Sequence, residues 1–136
     1  MTARWARLAP WLTGSTLLLA TSTSSCGGSV PLGGERGLPR DVPGGDARRG
    51  EQAIERYGCG ACHAIPGVPG ARGAVGPPLA NLADRSIIGG RLSNTPDNLS
   101  RWIQDPQSVD PGNAMPNLGV TTGEARDIAA YLYSLQ

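Results

Sequence analysis

The residues best equipped for chemistry lie together in the segment YGCGACHAIPG, Tyr57 to Gly67: Cys59, Cys62 and, directly behind the second cysteine, His63. His63 is the single histidine of the 136-residue chain. Two thiols at this spacing with an adjacent imidazole suit three chemistries. They can carry a haem through thioether links to its vinyl groups, with His63 reaching the iron from one side. They can contribute to a zinc site. Or they can exchange electrons as a dithiol.

The rest of the chain discriminates among these. Zinc wants four ligands of the Cys and His type, and after Cys59, Cys62 and His63 the only further cysteine is Cys26, far away across a Gly/Pro-rich stretch. A redox dithiol normally opens a helix after a strand in a βαβ setting, whereas here a helical pattern precedes the pair and no βαβ pattern exists. A plain structural disulfide between Cys59 and Cys62 would leave His63 without a role. Haem attachment is therefore the expectation.

A haem iron ligated by His63 has a second axial position. There is no other histidine and no lysine, and the one methionine besides Met1 is Met115, within PGNAMPNLG. Thioether sulfur is a soft ligand suited to haem iron, and a His/Met pair raises its reduction potential. Met115 is the expected ligand. Asn113 or an open position are the alternatives, and an open position would mean ligand binding or catalysis.

Three helices must position these groups. The first starts at the N-cap Asp46 and runs to Gly58, with Ala47, Gly50, Ala53, Ile54 and Tyr57 on one face. Gly50 costs about 1 kcal/mol against Ala inside a helix, so a glycine on the buried face implies that a backbone or ring comes very close. The second is bracketed by Thr95 and Pro96 at its start and by Pro106 at its end, with Leu99, Trp102 and Ile103 on one face. The third opens with the capping box Thr121…Glu124 and continues to the C-terminus, with Ala125, Ile128, Tyr131, Leu132 and Leu135 on its apolar face. The Gly/Pro-rich loops between them are longer than a bare helical domain wants and suit wrapping around a cofactor.

Organisation along the chain supports one small domain. Residues 1–25 have the order of a secretory signal: Arg4 and Arg7, a short apolar segment, then small residues. The sequence TSSCGGS around Cys26 resembles a bacterial lipoprotein processing site, although Thr23 stands where leucine is usual. Residues 26–45 read as a flexible tether, whose root-mean-square span is roughly 25 Å. Residues 46–136 remain for the folded domain, which has no Phe and Trp102 as its one tryptophan. A core so thin gains from a large apolar cofactor. Every basic residue is arginine, and without Arg4 and Arg7 the remaining ten nearly balance eleven acidic residues. No basic run exists of the kind nucleic acid needs, and long-range steering toward a charged partner is expected to be weak.

These residues resemble the small single-haem class I c-type cytochromes. GDARRG, CGACH, GPPL, AMPNLG and EARDIAAYLYSL occur in that family's order over nearly all of residues 46–136. The stretch from Gly76 to Pro116 is similar to the cytochrome c domain fused to subunit II of bacterial haem–copper oxidases. The resemblance implies an all-α class I cytochrome c fold, with about three to five helices wrapped around one covalent haem c per chain. It also implies particular roles. The Pro77 carbonyl accepts the Nδ1 proton of His63, Gly50 and Tyr131 meet where the first and last helices cross, and Arg85 and Trp102 approach the haem propionates.

The expected function is one-electron transfer in a respiratory chain, on the periplasmic face of a bacterial membrane, without a small-molecule substrate. The expected partners are redox proteins, such as a terminal oxidase or a quinol-oxidising complex, and the membrane itself through a lipid on Cys26. Two other readings keep the haem: an enzyme or sensor with an open sixth position, and a permanent subunit of a larger respiratory complex. A third, a haem-free lipoprotein with a Cys59–Cys62 disulfide, does not.

Overall fold

A computed structural model describes residues 41–135. The expectations for residues 1–25, for Cys26 and for most of the tether lie outside these residues. The described residues form four helices: α1 (Ala47–Arg56), α2 (Pro96–Gln104), α3 (Pro106–Val109) and α4 (Thr122–Ser134). A minimal antiparallel hairpin, β1 (Ile87–Ile88) and β2 (Leu92–Ser93), pairs Ile87 with Ser93 and Ile88 with Leu92. Single 3₁₀ turns occur at Cys59–Ala61 and Leu82–Asp84.

Local side-chain hydrogen bonds start each of the longer helices. The Asp46 carboxylate accepts the Arg49 N–H, and Thr95 Oγ1 accepts the Asn98 N–H, with Pro96 fitting the first turn. At α4 the capping box is complete: Glu124 N–H donates to Thr121 Oγ1, and the Thr121 N–H donates back to Glu124 Oε2. The end of α1 falls at Tyr57, after which Gly58 takes the left-handed conformation (φ 68°) that turns the chain into the CGACH segment.

α1 and α4 cross at Gly50. A Cβ built there would stand 2.0 Å from the carbonyl oxygen of Asp127, so only glycine lets the two backbones touch. A Cβ at Gly50 would meet backbone atoms of Asp127 and Ile128 first. Tyr131, buried one turn later, sends its hydroxyl to the Pro66 carbonyl (3.0 Å).

The core draws Ala53 and Ile54 from α1, Leu99 and Ile103 from α2, and Ala125, Ile128, Ala129 and Leu132 from α4. Each such large aliphatic chain contributes about 1.5–3 kcal/mol on full burial. The apolar stripe expected for α4 is too narrow, because Asp127, Ala129 and Tyr133 are buried as well. α4 lies between α1 and α2 and is covered on more than one side. Tyr133 donates to Asn94 Oδ1 (2.6 Å), and the Asn94 amide donates to the carbonyls of Leu82 (2.8 Å) and Arg85 (2.7 Å), a buried network tying α4 to the central loops.

Two boundaries differ from expectation. Val42, assigned to the tether, is buried and joins the core, so the folded unit begins before Asp46. Pro106 ends α2 as expected but also opens α3, because Asp105 caps that short helix by accepting the Ser108 N–H (3.1 Å). Among the described residues no helix is long and apolar enough to cross a membrane.

Candidate functional site

A cavity of about 670 Å³ opens among the loops. That volume suits one large ligand. Its walls are mainly apolar: Ile54, Leu99, Ile103, Ile128 and Leu132 from the helices, and Leu79, Leu82 and Ile88 from the loops. Cys59, Cys62, His63 and Met115 all line it, as do Pro77, Arg85, Trp102 and Asn113. Gly50 and Tyr131 do not; they act on the helix crossing and a loop carbonyl, away from the cavity wall.

The CGACH segment is held as one tight turn. The carbonyl of Cys59 accepts the N–H groups of Cys62 (3.2 Å) and His63 (3.0 Å), and the Cys62 carbonyl accepts the Gly76 N–H (2.8 Å). These bonds set Cys59, Cys62 and His63 around one opening. Both cysteines are free thiols, so no disulfide ties the segment. Burial, the largest influence, pushes the Cys59 thiol above its ordinary value, the opposite of what a thiolate-based dithiol needs. Among the described residues no three His, Cys, Asp or Glu side chains form a metal-binding group.

His63 is oriented from two sides. Its Nδ1 lies 2.8 Å from the Pro77 carbonyl oxygen. A carbonyl only accepts, so Nδ1 carries a proton, and in the neutral ring Nε2 is then the nitrogen with a lone pair for a metal. Gly76 packs against the ring face: a Cβ there would lie 2.3 Å from Cε1. Arg85 secures the same strip, donating through Nη2 to the carbonyls of Pro78 and Ala80. The Trp102 ring lies against Gly89 at the hairpin turn.

Met115 is half-buried and sits in a segment without regular structure. Asn113, the alternative ligand, spends its amide on the neighbouring backbone, donating to Pro106 (3.0 Å) and Asp110 (2.6 Å) and accepting the Met115 N–H (2.8 Å). Met115 is thus the side chain of this segment free to offer a soft donor.

These residues fit a covalently attached haem: two thiols, an imidazole of fixed tautomer and a thioether around one large apolar cavity. The motif signalled Cys59, Cys62 and His63 directly. The close seat of Gly76 on the ring, and the amides that hold the Met115 segment, carry no periodic signal. A GPPL read as part of the motif gives the first; nothing local gives the second.

Comparison with known proteins agrees. Cytochrome c oxidase subunit 2 of Alkalihalophilus pseudofirmus is 41% identical over 91 residues, covering 66% of this chain and 26% of that protein. The same subunit of Bacillus subtilis is 30% identical over 89 residues, covering 64% and 25%. The chain thus spans about a quarter of the length of these relatives. A family model for cytochrome c matches residues 47–136, and the chain belongs to that family, as a class I c-type cytochrome.

Proposed function

We propose that this protein is a one-electron carrier of a respiratory chain, with one haem c attached through Cys59 and Cys62 and ligated by His63 and Met115. The observation that carries this reading is the apolar cavity that all four side chains line together. The haem supplies an iron that gains and loses one electron without a substrate. The protein's own residues do the rest. The Pro77 carbonyl fixes the His63 tautomer and strengthens it as a donor, which favours the oxidised iron. Met115, a soft and neutral ligand, favours the reduced one. Ile54, Leu99, Ile128 and Leu132 keep water away. Arg85 and Trp102 stand at the cavity wall, where a guanidinium and an indole N–H can receive propionate groups.

Electrons leave and arrive across the rim, where Val75, Ile87 and Leu118 are 71%, 51% and 40% exposed. Apolar side chains at the rim, together with a nearly balanced charge, suit docking by short-range contact. The relatives that share this segment are named as oxidase subunits, which supports a terminal oxidase as the partner, met as a mobile carrier or as a bound subunit. The signal-like residues 1–25 and the lipoprotein-like Cys26 support export and a lipid anchor on the outer face of the membrane.

Optical redox titration of the purified holoprotein tests the carrier reading. A single one-electron transition and little carbon monoxide binding to the reduced form are expected. Rapid, tight carbon monoxide binding would move the assignment to a ligand-binding or catalytic haem. A colourless protein from cells equipped for haem attachment would end it.

A further inference from the structure

Between Asp110 and Thr121 the chain forms no helix or strand, yet its backbone around Met115 is fixed by side chains. Gln107, on α3, spends its whole amide on this segment. Its Oε1 accepts the Gly112 N–H (3.0 Å), and its Nε2 donates to the carbonyls of Asn113 (3.0 Å) and Met115 (2.8 Å). Asn113 accepts the Met115 N–H and donates back to Pro106 and Asp110. Both backbone polar groups of Met115 are therefore held by amide side chains. α3 is a firm base for them, since Pro106 is buried and Asp105 caps the helix. Asp105 also accepts from Asn117 Nδ2 (2.8 Å), beyond Met115.

We propose that Gln107 and Asn113 are positioning residues that present the Met115 thioether to the iron. The inference rests on the reading of Met115 as a ligand. A methionine side chain is unbranched and flexible, and a neutral thioether is a weak anchor for a loop that has no regular structure of its own. The loop must be ordered before the sulfur can compete with an outside ligand. The chain keeps no substitute: it has no lysine and no second histidine. If the clamp loosens, the position falls to water or an added ligand. Because both clamps are amides, their hold does not titrate.

The test is imidazole binding to the oxidised holoprotein, with far-ultraviolet circular dichroism to verify folding. Wild type is expected to resist imidazole and Met115→Ala to bind it tightly. Gln107→Ala and Asn113→Ala are expected to raise imidazole affinity at least about tenfold, and Gln107→Glu no less, because its carboxylate faces the carbonyls of Asn113 and Met115 without a donor. Adding Gln107→Ala to Met115→Ala should change nothing further, because there is no sulfur left to position. If wild type binds imidazole as tightly as Met115→Ala, the ligand reading fails. If wild type resists and the folded Gln107 and Asn113 variants resist equally, the positioning proposal is overturned. The same holds if Gln107→Ala raises affinity as much in the Met115→Ala background.

Discussion

The Pro77 carbonyl oxygen accepts a hydrogen bond from His63 Nδ1 at 2.8 Å, while Gly76, one residue earlier, lies against the ring that makes the bond. Orientation and packing of the imidazole thus come from consecutive residues. In Gly76→Ala the methyl group meets the ring at Cε1, so His63 must turn and its bond to Pro77 must lengthen. We expect a loss of about 1–3 kcal/mol in folding stability, read by chemical denaturation. A less strongly hydrogen-bonded imidazole is a poorer donor to iron, so the reduction potential of the holoprotein should rise. A potential that is unchanged or lower would contradict the role given to Pro77.

Two helical glycines allow a controlled comparison. Gly50→Ala drives a methyl group into the Asp127 carbonyl. Its overpacking penalty, about 1–3 kcal/mol or more, should exceed the gain of about 1 kcal/mol in helix propensity. Gly123, in the first turn of α4, has nothing within 4 Å of its would-be Cβ. Gly123→Ala should therefore be neutral or stabilising by up to about 1 kcal/mol. The denaturation midpoint should fall for Gly50→Ala and stay level or rise for Gly123→Ala.

Glu124 makes the α1–α4 contact sensitive to acid. Its carboxylate accepts hydrogen bonds from the Thr121 hydroxyl (2.6 Å), the Tyr57 hydroxyl (2.7 Å) and the Thr121 N–H (3.1 Å), and Arg56 lies 2.6 Å from its other oxygen. These partners, the Thr121 and Tyr57 hydroxyls foremost, hold it down from 4.5 to about 2. A depressed carboxylate stabilises the fold fully above its unfolded value and loses that contribution as pH falls toward the folded one. Stability should therefore decline between about pH 4.5 and 2, and Glu124→Gln should flatten that part of the profile. Tyr57→Phe, which removes one donor, raises the folded value toward the unfolded one, so the decline should become smaller and end at a higher pH.

Docking at the rim should depend little on salt. Between roughly 0.01 M and 1 M ionic strength the screening length falls from about 30 Å to 3 Å. Over that range the second-order rate of electron exchange with an oxidase-type partner should change by less than about threefold. A charge placed on the rim by Val75→Asp or Leu118→Asp should slow exchange more than that. A steep fall with salt in the wild type would point to charge-guided docking instead.

Sequence patterns reveal what is decided locally. Asp46, Thr95 with Pro96, and Thr121 with Glu124 each make their hydrogen bonds within a few residues, so the starts of α1, α2 and α4 were readable. The same holds for CGACH, which folds into a single turn. What escaped depends on distant partners. Asp127 lies off the apolar stripe of α4 yet is buried, because Arg49 grips both its oxygens (2.8 and 2.9 Å) and the Asp46 N–H adds a third bond (2.8 Å). Nothing near Asp127 in the sequence announces Arg49. Likewise Gln107 reads as one polar residue in a loop until the fold brings Met115 to it. α3 could have been found: Pro106 marks a start as well as a stop, and Asp105 before it is a suitable cap.

The crossing at Gly50 also determines how the module bears force. The chain enters through Val42 and Gly45, where a Cβ at Gly45 would press on Arg126 and Ala130 of α4. Val42 is the first buried residue of the described chain. Any pull applied upstream of Asp41 thus reaches α1 and α4 first, where two backbones in contact resist being slid apart. Ile54 of α1 and Ile128 and Leu132 of α4 also wall the cavity, so the contact that takes up such a pull is the one that shapes the space around Cys59, His63 and Met115.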